Sequence, residues 1–393
     1  MEFEINNNIE ILNQNCVIEV SSVPILDANE LSYEEFFENF MSKNRPCLIR
    51  NISNNWESTA KWVINGKPNV AYLREQYDHT QVTIYNCSER YYNSQKCQEG
   101  TLEQYLKLWE KDNETVYYLK DWHLKLQCKN DNFYEVPIYF ASDWLNEYFI
   151  QCRNDDYRFV YMGKQGSWTP LHTDVFNSFS WSVNICGQKK WIFFPPSEEK
   201  YLKDELNNIP YDIKDTSYSR GYLEAIQNSG EAIFVPSGWY HQVWNLEDTI
   251  SINHNWINAC NINTMWECLK TNLEMTKREI DDCKEMDNFE EHCQTMLEAL
   301  FGMNFKQFFE FLKFIAEKRM AMMTNQSERQ LFHGHFIGTM HIVFDLICIK
   351  NVLEDFINCD CAKMNDYYRN LKVLVIEVQN IVCNNNTFIK NLK

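Results

Sequence analysis

Two short stretches constrain this chain more than anything else in it. One reads Thr169-Pro170-Leu171-His172-Thr173-Asp174, the other Pro236-Ser237-Gly238-Trp239-Tyr240-His241. A His-x-Asp pair followed 67 residues after the Asp by a single His is the trace of a two-histidine, one-carboxylate metal site. Residues two apart on a strand share a face, so His172 and Asp174 can point the same way with Thr173 turned aside. His241 has to arrive from a distant strand, and Pro236-Ser237-Gly238 ends one strand and reverses the chain just before it. Three ligands on one face of an octahedron hold non-haem Fe(II). They leave three positions, which a bidentate 2-oxo acid and O₂ would fill.

The surrounding sequence suits that demand. Tyr157 to Tyr161, Ser178 to Ile185, Lys190 to Phe194, Glu231 to Val235, His241 to Trp244 and Thr249 to Asn255 read as strands. They are separated by Gly, Pro and Asn turns, which indicates an antiparallel sandwich or barrel. Residues 197–228 are polar and read as loop with short helices. Trp181, Trp191, Trp239 and Trp256 read as core.

Before Tyr157 the pattern is mixed. Leu31 to Arg45 reads as one helix, with Phe36, Phe37, Phe40 and Met41 at helical spacing and Pro46 as its stop. Pro46 to Arg50, Val82 to Tyr85 and Val116 to Leu119 are strand-like. Leu102 to Lys111 reads as a helix, and Asp143 to Asn146 opens or sits in one. After Trp256 the pattern turns helical. Gly302 can end a helix begun at Phe289, and Asn304 can cap the next. Phe305, Phe308, Phe309, Leu312, Ile315 and Ala316 then form one apolar stripe. Phe336 to Phe356 and Tyr367 to Ile381 supply two more helices, and the Asn384-Asn385-Asn386 tail reads as frayed. The C-terminal helices have two readings: a cover over the barrel edge, or a homodimer interface or substrate wall.

The net charge of −18 argues against a nucleic-acid binder and suits a basic protein segment as partner. The 15 cysteines are scattered without a CxxC, which points to reduced thiols and no structural zinc. The N-terminus, Met1 to Asn6, carries no apolar leader core. His341, Asp345 and Lys350 interrupt the apolar run Phe336 to Leu353, so it reads as a buried helix and no membrane span is expected.

Longer segments carry a resemblance. Trp168 to Asp174, Cys186 to Pro196 and Gly230 to Val243 resemble the JmjC family of 2-oxoglutarate- and Fe(II)-dependent oxygenases. Tyr118 to Leu124, Ser142 to Glu147, Asp156 to Tyr161, Ser178 to Asn184 and Thr249 to Trp256 narrow it. They are similar to a branch of lysyl hydroxylases acting on the eukaryotic peptide-chain release factor in translation termination. The resemblance runs from about residue 31 to 320 and fades beyond.

The resemblance implies an α+β fold. A double-stranded β-helix (cupin or jelly-roll) over 131–260 would follow an N-terminal α/β elaboration over 1–130 and precede a helical region over 261–393. It implies His172, Asp174 and His241 as iron ligands, with 2-oxoglutarate as cosubstrate and O₂ as oxidant. It places Lys189 and Thr169 on the far carboxylate of 2-oxoglutarate, and Tyr118 and Asn255 near the cosubstrate. A cation facing a barrel interior is otherwise costly, so a bound dicarboxylate gives Lys189 a physical reason. The adjacent Lys190 would face the opposite side. The implied compartment is the cytoplasm, with the nucleus as a second location.

Three other readings stay open. Nε-methyl-lysine demethylation uses the same ligands and the same first bond cleavage. A non-catalytic binding module could keep the barrel without turnover, and another metal could fill a cupin-like site. His254 competes weakly with His241 as ligand and otherwise reads as a core histidine. His333-Gly334-His335 reads as a loop.

Overall fold

The structure is a computed structural model that describes residues 1–5, 22–111, 115–205, 208–215, 221–363 and 366–384. The Asn-rich end beyond Asn384 lies outside the described residues.

Two sheets carry the fold. In chain order their strands are β1 (Ile25–Asp27), β2 (Cys47–Arg50), β3 (Gln81–Tyr91), β4 (Ser94–Thr101), β5 (Tyr117–Trp122) and β6 (Arg158–Gly163). There follow β7 (Trp168–His172), β8 (Phe179–Cys186), β9 (Lys189–Phe194), β10 (Leu223–Gln227), β11 (Ala232–Val235), β12 (Tyr240–Asn245) and β13 (Thr249–Trp256). The large sheet runs β1-β2-β11-β8-β13-β6-β5-β3-β4 and the small one β7-β12-β9-β10. Pairing is antiparallel except between β1 and β2. Sequence-distant strands such as β7 and β12 are neighbours, as a cupin-like barrel requires.

Side-chain alternation divides the central strands β8 and β13 into two faces. Phe179, Trp181 and Val183 stand opposite Trp256, His254 and Ile252. This face is buried and aromatic: Phe140 stacks on Trp181 at 5.3 Å, and Trp181 stacks on His254 at 4.2 Å. The other face pairs Ser180 with Asn255, Ser182 with Asn253, and Asn184 with Ser251. Buried polar groups are costly without partners, so a ladder of small polar residues inside a barrel marks a ligand cavity rather than core. Deeper between the sheets, Trp191, Phe193, Ile233, Val235 and Val243 form a separate apolar cluster.

Among the described residues, five helices of more than ten residues follow β13: α1 (Ile262–Glu279), α2 (Phe289–Phe301), α3 (Phe305–Thr324), α4 (Thr339–Asn358) and α5 (Tyr368–Asn384). Gly302, at φ +89°, ends α2, and Asn304 with Gln307 forms a capping box on α3. The expected Phe stripe of α3 is buried. A buried ion cluster ties these helices to the barrel. Arg319 on α3 binds Glu147 at 2.8 Å and Asp345 on α4 at 2.7 Å.

Residues 197–228, expected as loop with short helices, also contain β10, which pairs along β9, and two further expectations need correction. The single helix over Leu31 to Arg45 is instead one α-turn, Tyr33–Phe36, followed by a π-turn, Phe37–Met41. The wider turn lets Phe36, Phe37 and Met41 all reach the core. The helix expected from Phe336 begins at Thr339, because Phe336–Ile337 pairs with the chain start, Glu2–Phe3. Among the described residues, no helix is long and apolar enough to cross a membrane.

Candidate active site

His172 ends β7 directly opposite His241 on β12, with the two rings 4.3 Å apart. Each imidazole makes the same local bond. His172 Nδ1 donates to the carbonyl of Pro170 at 2.8 Å, and His241 Nδ1 donates to the carbonyl of Trp239 at 3.1 Å. A carbonyl only accepts, so Nδ1 carries the proton and Nε2 keeps its lone pair for a metal. Desolvation in the cavity wall, then the neighbouring His241, pushes the His172 pKa down to about 4. The ring is therefore neutral near pH 7, as a metal ligand must be.

Asp174 completes the group, and ligand atoms of all three residues lie within 4.8 Å of one another. It is not on the strand, contrary to the alternation argument. β7 stops at His172, and Asp174 precedes a one-turn helix, Val175–Asn177, that contains left-handed residues Phe176 (φ +57°) and Asn177 (φ +50°). Ser180 Oγ donates to Asp174 Oδ2 at 2.7 Å and sets the carboxylate's direction. Two imidazoles and one carboxylate are the donor set expected for Fe(II) with open positions.

The same cavity, about 300 Å³, holds Lys189 in its wall. Lys189 is buried, and its Nζ donates to Ser251 Oγ at 2.7 Å. Burial draws its pKa down to about 7. A buried cation facing a hydroxyl is under-compensated, and a carboxylate bound there would supply what is missing. Lys190 points to the opposite side and pairs with Glu224 at 2.8 Å, as alternation requires.

Comparison with known proteins agrees with this geometry. A family model for a Cupin-like domain matches residues 33–262. A Drosophila melanogaster protein named 2-oxoglutarate and iron-dependent oxygenase JMJD4 homolog is 43% identical over 380 residues, covering 86% of this chain and 89% of its own. This chain belongs to the cupin-like JmjC oxygenases that depend on 2-oxoglutarate and iron. The Homo sapiens 2-oxoglutarate and iron-dependent oxygenase JMJD4 is 38% identical, covering 85% of this chain and 84% of its own. An Arabidopsis thaliana protein named arginine-specific demethylase JMJ20 is 35% identical, covering 90% and 83%.

The oxygenase cavity gathers the other residues singled out from the sequence. Thr169 on β7, Tyr118 on β5 and Asn255 on β13 all line it. Asn255 Nδ2 donates to Ser178 Oγ at 3.1 Å. The sequence reading missed Tyr85, Lys120, Asp121, Tyr161, Ser180 and Asn253 in the same lining. It also missed Ser251. Polar residues at 251, 253 and 255, alternating with Ile250, Ile252 and His254, were the available signal.

His254 stays on the aromatic face. It bonds Tyr134 Oη at 2.8 Å, and burial holds its pKa well below the usual range. His333 and His335 contact the carbonyls of Ala141 and Val136 from a turn. A second cluster, His123 with Asp155 and Asp156, has its buried carboxylate already held by Arg158 at 2.7 Å.

Proposed function

We propose that this oxygenase is a protein lysyl hydroxylase. Its substrate is a peptide-chain release factor, and it acts in translation termination in the cytoplasm. In this reading His172, Asp174 and His241 hold Fe(II), while Lys189 and Thr169 bind the far carboxylate of 2-oxoglutarate. Tyr118 and Asn255 border the cosubstrate.

With its cosubstrate and O₂, bound iron supplies the oxidation: 2-oxoglutarate becomes succinate and CO₂, and a substrate C–H becomes C–OH. The chain's own residues do the positioning. The two Nδ1–carbonyl bonds fix the imidazoles before any ligand arrives. Ser180 fixes Asp174. Lys189, beside Ser251, would hold the far carboxylate of the cosubstrate in the cavity that also contains the triad. The aromatic face behind β8 and β13 keeps water from the rear of the site.

The observation that carries the oxygenase reading is Lys189, a buried amine that meets a hydroxyl and the face of Tyr161 and, among the described residues, no carboxylate, in one cavity with the triad. The substrate reading rests on the segments shared with release-factor hydroxylases, and the acidic balance of the chain suits a basic partner. A second reading is demethylation, favoured by the 35% identity to a protein named as an arginine-specific demethylase. Incubation of the iron-loaded enzyme with purified release factor, 2-oxoglutarate and O₂, followed by peptide mapping, tests both. Gain of one oxygen on a lysine supports hydroxylation. Loss of a methyl group supports demethylation, and an unmodified release factor removes it as the substrate.

A further inference from the structure

Strand β5 carries a bulge. Leu119 pairs with Met162 and Trp122 with Val160, so Lys120 and Asp121 together stand opposite the single Tyr161. Asp121 takes up the extra residue at φ +57°, a left-handed conformation that Asp tolerates better than most side chains. Strict alternation would send Asp121 to the side of Leu119, into the core. Instead Lys120 and Asp121 both line the cavity, and Trp122 returns to the core beside Leu119. Bulges next to active sites re-aim side chains in this way.

The re-aimed carboxylate is held at both oxygens. Tyr85 Oη donates to Oδ2 at 2.9 Å, and Tyr161 Oη donates to Oδ1 at 2.8 Å. Both donors are neutral. Among the described residues, no cationic nitrogen lies within 4.0 Å of this carboxylate. The adjacent Lys120 turns elsewhere. Its Nζ donates to Gln95 Oε1 at 2.9 Å and sits 4.0 Å over the Tyr85 ring. Of the other charges in the cavity wall, Asp174 faces the metal position, Lys189 faces the cosubstrate, and Lys120 feels Asp121 through space without forming an ion pair with it. Asp121 is left as an aimed anion with both oxygens pre-oriented.

The cavity is also accessible from outside. Asn93 lines both it and a neighbouring surface groove of about 660 Å³ that includes Arg90, Tyr201 and Tyr211. A polypeptide in that groove would lie beside the cavity, with Asn93 on the shared wall.

We infer that Asp121 is the acceptor for the cationic head of the substrate side chain, an ammonium or guanidinium group. The inference rests on the reading of the substrate as a protein side chain oxidised in this cavity. A salt bridge to a carboxylate already held by two tyrosines fixes the head group. The aliphatic carbons behind it then lie across the metal position, so the residue selects basic side chains and sets which carbon is presented.

Asp121→Asn tests this, because Asn is isosteric and tolerates the left-handed backbone. The expected result is a rise of about tenfold or more in KM for the release factor, with KM for 2-oxoglutarate moved by less than about twofold. Tyr161→Phe loosens the carboxylate without removing its charge and gives a smaller rise in the same constant. An unchanged substrate KM, or equal rises in both constants, overturns the inference, the second by making Asp121 a scaffold of the whole cavity. A second arm needs no protein substrate. Saturation-transfer NMR compares n-butylammonium, n-propylguanidinium and n-butanol on the Mn(II)- and 2-oxoglutarate-loaded protein. Contact with either cation above that with n-butanol, lost in Asp121→Asn, supports the inference, and the stronger cation distinguishes lysine from arginine chemistry. Equal signals from all three overturn it. If the wild type modifies no protein yet retains the cation contact, the functional reading fails while Asp121 stands.

Discussion

Lys189 Nζ and Ser251 Oγ meet at 2.7 Å in the cavity wall, a buried ammonium set against a neutral hydroxyl. That relationship makes cosubstrate binding depend on pH. Burial draws the Lys189 pKa down from 10.5 to about 7. Below pH 7 the free enzyme already carries the charge that a carboxylate needs. Above it the amine is neutral, and binding must take up a proton. KM for 2-oxoglutarate is therefore lowest below pH 7 and rises towards about tenfold per pH unit above it. Steady-state kinetics at saturating substrate across about pH 6 to 9 checks this. A flat KM contradicts it.

Ser180 holds Asp174 from behind at 2.7 Å without itself having a metal-binding group of the usual kind. Ser180→Ala leaves the three ligands in place but frees the carboxylate to rotate. Iron affinity or turnover is expected to fall about 10- to 100-fold. Metal titration of the apoprotein measures it, and an unchanged affinity would show that Phe176 and the turn alone position Asp174.

Arg319 is fully enclosed between Glu147 and Asp345. Arg319→Met leaves Glu147 with Lys318 and Asp345 with Trp144 and His341, and is expected to destabilise the fold by about 3 kcal/mol. Adding Asp345→Asn should recover part of that loss, since the penalty lies in buried negative charge left without its guanidinium. Urea midpoints of the single and double variants check both statements.

How much of this was legible in the sequence varies by element, for physical reasons. The opposite facing of Lys189 and Lys190 follows from strand alternation alone and needs no partner. The cap at Asn304 and the stop at Gly302 are local and were equally readable. Asp174 was placed on a strand because His-x-Asp says nothing about where pairing ends. The strand ends because Phe176 turns left-handed to pack on Phe301 at 5.3 Å and Tyr157 at 5.6 Å, contacts made only in the folded chain. The bulge that exposes Asp121 to the cavity depends on the register against β6, which local sequence does not encode. The polar ladder of Ser251, Asn253 and Asn255 was visible as period-two alternation. Its meaning required knowing that both faces of β13 are covered.

The central claim is one cavity with two separable ends, a metal end and a carboxylate end. Anaerobic equilibrium dialysis of Fe(II) and of 2-oxoglutarate against the wild type, Asp174→Ala and Lys189→Ala tests it most directly. The expected result is that Asp174→Ala loses iron, while Lys189→Ala keeps iron and loses about 100-fold or more in 2-oxoglutarate affinity. Full 2-oxoglutarate affinity in Lys189→Ala, or loss of iron along with it, would contradict the account.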